Sequence, residues 1–333
     1  MLSPFRFMQR STRLIRRKST SEPKILDEGA TFSDVHNVIL NPTTRLPYPE
    51  KLLRSHIEKT TSEILKERNR IKLEQTLFCQ PAVVTSSVAA FEALKVSDMS
   101  IEENLTDTAG FSVGEYSALV AGKVLSFGDA IRIVKARAEA MTECAKLVNS
   151  GMVTIRVNGA SKLDKAILDA RKSALENCEL DICEIANYLY CGVRVIGGSE
   201  RCLKYLEENQ QKYSIQVLKR LAVSAAFHTR LMEAAVEKVA HAFKNIEMHP
   251  PVCNVHSNYT GKVMSSKKSD IRGAVAKQVA SPVRWEQIQQ VLFRKHTKEV
   301  FPRFYEIGPG RQLGAMLFQT SKKAYKNYTH FSC

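Results

Sequence analysis

Residues Gly110-Phe111-Ser112-Val113-Gly114 read G-x-S-x-G, a spacing that requires a strand running in, a sharp turn at the serine and a helix running out. No other stretch constrains the fold as tightly. The two glycines are expected to leave no room for Cβ atoms beside the serine, so that the hydroxyl stands clear of its own backbone. Two glycines around a serine also arise by chance, so the flanking pattern carries the weight. An apolar approach over 109–111 supplies the strand, and Glu115-Tyr-Ser-Ala-Leu-Val-Ala supplies the helix. The order strand, serine, helix is that of a nucleophilic serine working in acyl transfer.

The chain has 333 residues, 44% of them hydrophobic and 25% charged, enough to bury a large core. No uninterrupted apolar run approaches the roughly 20 residues needed to cross a bilayer, so no membrane span is expected. The formal net charge is +15, which invites a nucleic-acid reading. Its distribution argues otherwise: Arg6, Arg10, Arg13, Arg16, Arg17 and Lys18 fall within residues 1–21, where no acidic residue occurs. That stretch carries Ser and Thr with Phe5, Phe7, Met8, Leu14 and Ile15 interspersed, the composition of a mitochondrial presequence. A basic tail that binds acidic surfaces is the alternative. The remaining positive balance suits an anionic substrate such as a coenzyme A thioester or an acidic carrier protein, and no nucleic acid is expected. Eight cysteines occur without a CxxC pair or a His/Cys metal spacing. They read as reduced thiols, most of them buried, and no metal or cofactor is expected.

Residues 22–74 read as a linker that turns highly charged after residue 50, with Asn41-Pro42 and Leu46-Pro47-Tyr48-Pro49 as breakers. A helix is expected from Gln80-Pro81 to Leu94, with the proline in its first turn, packed beneath the serine. Over 127–147, Ile131, Val134, Ala138, Met141 and Ala145 form one stripe at helical spacing. Arg132, Lys135, Glu139, Glu143 and Lys146 form another, and Arg137 falls beside the apolar stripe. An arginine there needs a partner: a structural ion pair, a snorkelling exit to water, or a substrate carboxylate. Between 151 and 218 the pattern is β-α-β-β-α-β, a ferredoxin-like unit inserted between two parts of a larger α/β subdomain, 75–150 and 219–321. Residues 322–333 read as a C-terminal tail. In the second part, helices are expected over 231–246 and 270–280 and from Trp285, and strands over 252–257 and 303–307.

A serine nucleophile needs a base. His228, in Ala226-Phe227-His228-Thr229-Arg230, stands at the mouth of a helix where the insertion returns to the core, a loop position at which catalytic groups gather. His241, His249 and His256 remain alternatives.

The blocks Gly110-Phe-Ser-Val-Gly-Glu-Tyr, Arg137 within Ala136-Arg-Ala-Glu-Ala, Phe227-His-Thr-Arg-Leu-Met, Ser281-Pro-Val-Arg-Trp and Glu306-Ile-Gly-Pro-Gly-Arg-Gln-Leu-Gly, in this order, resemble the malonyl-CoA:acyl carrier protein transacylase family. The likeness runs from about Gln75 to about Ser321 and, with the basic leader, is nearest the mitochondrial type. It implies an α/β-hydrolase-like large subdomain with a ferredoxin-like insertion and a site in the cleft between them. The resemblance makes Ser112 the nucleophile and His228 its base, with no triad aspartate. It makes Arg137 the grip on the malonyl carboxylate and the Val113 N–H an oxyanion donor, and it places Asn187 and Asn258 near the substrate. Malonyl-CoA and acyl carrier protein would be the partners, and the mitochondrial matrix the location.

The family's opening strand and G-Q-G-S-Q loop, whose first glutamine supplies a second oxyanion donor, have no counterpart in residues 1–74. Their absence predicts open sheet edges and uncovered apolar surface. Three readings follow: a transacylase in a splice form lacking that segment, an inactive relative that binds carrier protein or acyl-CoA, or a serine hydrolase releasing acyl groups to water.

Overall fold

The computed structural model describes residues 75–295 and 301–332; the presequence reading of 1–21 and the linker reading of 22–74 lie outside them. Helix α1 (Thr76–Ser97) begins ahead of the expected start, so Pro81 lies inside the helix rather than in its first turn. α1 is long and apolar enough, by length and composition, to cross a membrane, which the sequence reading did not anticipate. In the fold 44% of that window is buried, and the helix packs along α3 (Gly114–Ala121) and α4 (Phe127–Ala145) beneath the serine turn. A four-residue helix α2 (Ser100–Glu103) leads to strand β1 (Asp107–Thr108). β1 stops before the apolar residues 109–111 that sequence assigned to it.

α4 starts where the Ser126 side chain accepts the Asp129 N–H at 3.1 Å, a side-chain N-cap. Its buried residues are Ala130, Ile133, Val134, Arg137, Ala138, Ala140, Met141 and Cys144. Ile131 and Ala145 are only half-buried, so the buried face is turned slightly from the expected stripe toward Arg137. The charged stripe Arg132, Lys135, Glu139, Glu143 and Lys146 is exposed as expected.

The next elements are β2 (Ser150–Arg156), α5 (Leu163–Glu176), β3 (Cys183–Tyr190), β4 (Val193–Ser199), α6 (Glu200–Glu208) and β5 (Gln216–Arg220). This β-α-β-β-α-β order folds into a sheet β5-β2-β4-β3, antiparallel throughout, as a ferredoxin-like unit requires. Val153, Ile155, Cys183, Ile196, Leu203 and Leu206 pack there against the alanine stripe Ala166, Ala170 and Ala174 of α5. The sheet gains a fifth strand unforeseen from sequence: β7 (Val283–Arg284) adds in parallel to β3.

The chain then returns through a 3₁₀ turn (Arg230–Met232) to α7 (Glu233–Ala242), β6 (Asn254–Val255) and α8 (Lys268–Lys277). After β7 follow α9 (Trp285–Phe293), β8 (Phe304–Ile307), α10 (Gln312–Thr320), α11 (Lys322–Tyr325) and β9 (Tyr328–Phe331). Residues 322–333 are therefore not a simple tail, because β9 pairs in parallel with β8. The central sheet of the large part is divided: β1 pairs with β6, β8 with β9, and no strand joins the two pairs among the described residues. The main core lies on the other side, where α1, α3, α4, α7 and α8 bury Val84, Leu119, Ile133, Val134, Met232, Phe243 and Val275.

Of the seven described cysteines, all free, Cys144, Cys183 and Cys202 are buried. Cys178 and Cys191 are exposed, so burial is less general than the sequence reading held.

Candidate active site

Ser112 sits between β1 and α3 with φ of 52°, in the left-handed region. For a non-glycine residue this costs about 1–2 kcal/mol. Three hydrogen bonds hold it there: the Ser112 N–H donates to Asn258 Oδ1 at 2.6 Å, Asn258 Nδ2 to the Gly110 carbonyl at 2.7 Å, and Gln278 Nε2 to the Ser112 carbonyl at 2.8 Å. At about 1 kcal/mol each they offset the strain.

The two flanking glycines are not equivalent. A Cβ at Gly110 would lie 1.9 Å from the Gly114 carbonyl oxygen, whereas one at Gly114 would meet nothing within 4 Å. This corrects the expectation that both are required by the turn. Gly110→Ala is expected to disrupt the elbow and cost more than about 3 kcal/mol in stability, with Gly114→Ala within about 1 kcal/mol of the parent. Equal melting temperatures for the two variants would contradict this asymmetry.

His228 also has a positive φ, 61°, and its ring is buried. Nε2 lies 2.8 Å from Ser112 Oγ, and Nδ1 lies 2.9 Å from the Gln278 carbonyl oxygen. A carbonyl only accepts, so the proton is on Nδ1 and Nε2 is free to take one from the serine. Burial, then the charge of Arg137, hold the imidazole down at about 4 against the pull of its backbone partners. It is neutral at physiological pH. His256, one of the alternatives, is committed elsewhere: its Nε2 lies 2.8 Å from Asp107 Oδ1, which Lys295 also meets at 2.6 Å. Burial opposes the Asp107 charge, but the bonds from His256 and Lys295 hold its carboxyl well below the usual carboxylate range.

Arg137 is 1% exposed. Its NH2 donates to Ser112 Oγ and to Gln278 Oε1, each at 3.0 Å, and its NH1 to Gln80 Oε1. It makes no ion pair among the described residues and does not reach water, so neither structural alternative raised by the sequence holds. Its Nε has no partner among the described residues. The hydrogen-bond partners of the guanidinium are all neutral side chains, so no direct ion pair compensates its desolvation.

Three residues that sequence reasoning missed organise this cluster. Gln278 touches all of its members, through its amide to Ser112 and Arg137 and through its carbonyl to His228. Glu115, fully buried, accepts the Asn258 N–H at 2.7 Å and the Gln278 side-chain amide. Burial pushes its carboxyl up to about 8, although both donors and Arg137 pull it down. Gln80 anchors Arg137 from α1. The available signals were a glutamate directly after the elbow and glutamines inside apolar helical runs.

The Val113 N–H, at the start of α3 beside the serine, has no partner among the described residues and is free to receive an oxyanion. Asn258 is at the site, but both ends of its side chain are spent on the elbow backbone, so it braces Ser112 rather than facing a substrate. Asn187 lies on β3, 4% exposed, with its Oδ1 unpaired, and has no bond to the Ser112 cluster.

The arrangement sets a serine hydroxyl against a neutral histidine nitrogen, with a buried cation on the same oxygen. The acyl transferase domain family matches residues 47–330, beyond both ends of the likeness read from the motifs. The chain is 39% identical over 258 residues to the human mitochondrial malonyl-CoA–acyl carrier protein transacylase, covering 77% of this chain and 66% of that protein. It is 36% identical to the probable mitochondrial transacylase of Drosophila melanogaster, covering 84% and 75%. The chain thus spans about two thirds of the human relative's length. Among solved structures, that of MCAT from Streptococcus pneumoniae superposes with a TM-score of 0.70 at 27% identity, covering 91% and 92%. The acyl-carrier-protein S-malonyltransferase of Burkholderia pseudomallei reaches 0.74 at 22% identity, covering 90% and 89%, a likeness of fold. With a family match over most of its length and relatives of one description, the chain belongs to the acyl transferase domain family, among the malonyl-CoA–acyl carrier protein transacylases.

Proposed function

We propose that the chain transfers a malonyl group from malonyl-CoA to the phosphopantetheine thiol of acyl carrier protein, in the mitochondrial matrix. The observation that carries this reading is one oxygen, Ser112 Oγ, 2.8 Å from the His228 base and 3.0 Å from the buried Arg137. Ser112 Oγ attacks the thioester carbonyl as its proton passes to His228 Nε2, and the Val113 N–H receives the oxyanion. Collapse breaks the C–S bond, and His228 returns the proton to the departing thiolate. The malonyl-serine ester is then attacked by the carrier's thiol, which gives its proton to His228, and Ser112 leaves and regains a proton. Arg137 pairs with the malonyl carboxylate and supplies the selectivity for a carboxylated acyl group. Its bond to Ser112 Oγ would be exchanged for that carboxylate. In this reading 75–150 and 219–321 form the catalytic body and 151–218 the insertion.

Intact-protein mass spectrometry after brief exposure to malonyl-CoA, then to phosphopantetheinylated carrier, tests the proposal. A malonyl mass gain that passes to the carrier is expected. Loss of the label to water would make the protein a hydrolase, and no label on the folded chain would make it an inactive relative. Because His228 stays neutral down to about 4, the labelling rate should be flat from pH 8 to pH 5, measured by rapid quench. A fall centred near 6.5 would place the base elsewhere.

A further inference from the structure

A cavity of about 1480 Å³, lined mostly by apolar atoms, lies between β1 and β8. Val83, Val88 and Phe91 of α1, Leu189 of β3, Trp285 of α9 and Met316 of α10 are among its walls. Among the described residues, both strands that border it are bonded on one edge only, β1 to β6 and β8 to β9. Each therefore turns a row of backbone donors and acceptors away from its partner. Three buried side-chain atoms on the wall, Ser117 Oγ, Asn187 Oδ1 and Trp285 Nε1, also have no hydrogen-bond partner among the described residues. Gly114 lines the same space, and nothing among the described residues would touch a Cβ there. A glycine where no neighbour requires one leaves room for a second backbone to approach closely.

From these features we infer that the cavity is an acceptor slot for an extended peptide strand from another chain, running between β1 and β8. An acyl chain would match the apolar walls but would leave both strand edges and the three side-chain atoms unbonded. A strand supplies backbone N–H and C=O groups on both of its edges and apolar side chains on both of its faces. A strand covered on both faces reads as a continuous apolar run of about four or more residues. No run of that length occurs in residues 1–74, where the longest is Val38-Ile39-Leu40, and this favours a separate chain over the protein's own leader. The occupant is thus an extended segment rich in Val and Ile, bound by strand addition. The inference does not depend on the transacylase reading.

The full chain would be titrated with a fluorescein-labelled peptide whose core is Val and Ile flanked by lysines, and followed by anisotropy and by hydrogen exchange. Saturable binding is expected, with slowed exchange at the amides that face away from β6 and β9, those of Asp107, Ala109, Tyr305 and Ile307. A variant peptide with proline at its centre should bind about tenfold more weakly, because it cannot complete the ladder. Equal binding of the proline peptide would overturn the inference in favour of nonspecific apolar contact. Palmitate displacing the peptide without protecting those amides would make the cavity a lipid site. Absence of binding, with the amides already protected in the free chain, would mean that the chain fills the slot itself.

Discussion

Ser112→Ala is expected to abolish the malonyl-enzyme and to lower transfer by about 10⁴-fold or more, because the nucleophile and its base act as one unit. The change removes only Oγ. The bonds that fix the elbow run through the Ser112 N–H and carbonyl to Asn258 and Gln278, and they survive. Alanine is left-handed at the same cost as serine, so the variant should melt close to the parent. What it loses is the contact of Oγ with His228 and Arg137, while binding of malonyl-CoA, which the proposed mechanism assigns to Arg137, should persist. Mass spectrometry of the exposed variant checks the first point, and equilibrium binding of malonyl-CoA checks the second. An undiminished covalent label would remove Ser112 from the mechanism.

The Ser112 position was legible because its chemistry is written locally, whereas His228 stood among four histidines until the family resemblance singled it out. The G-x-S-x-G spacing dictates a turn that only a few residues can make, and His228 stands beside a helix start that the sequence marks with Thr229. The ferredoxin-like unit was legible for a similar reason: α5 is where its periodicity places it, and β2 to β5 fall close to the expected runs. The misses are long-range. β7 is two residues long and owes its existence to pairing with β3, about a hundred positions earlier in the chain. β9 depends likewise on β8. Neither has a pattern of its own, since two to four residues carry no usable period. Gln278 and Glu115 escaped because their role is to satisfy groups far apart in sequence, which only the folded contacts reveal. Gly114 was misread for the opposite reason. The motif contains it, but the turn does not need it, and the cavity beside it gives it a different meaning.

Arg137→Ala is expected to cut malonyl transfer by about 10²-fold or more while lowering acetyl transfer by less than about tenfold. Truncating one partner of a desolvated charge pair costs about 2–5 kcal/mol, and each 1.36 kcal/mol is a factor of about ten in rate. In the proposed mechanism Arg137 contributes that only when a carboxylate is present, which an acetyl group lacks. The substitution also has a structural cost, because Gln80 Oε1 and Gln278 Oε1 lose the donor they share, at about 1–3 kcal/mol for each buried acceptor left unpaired. That cost falls on both substrates equally and is read from the melting temperature. Arg137→Lys keeps the charge but loses the planar fork, so malonyl transfer should recover only in part. A second readout separates positioning from charge. Burial is the larger cause of the depressed His228 imidazole and the Arg137 charge the second. In Arg137→Ala the acid limb of acetyl transfer should therefore move upward from about 4 toward the ordinary histidine value of about 6.5. A rate profile that stays where it was, together with equal losses on malonyl and acetyl groups, would make Arg137 a packing residue and leave the selectivity for a carboxylated acyl group without a source.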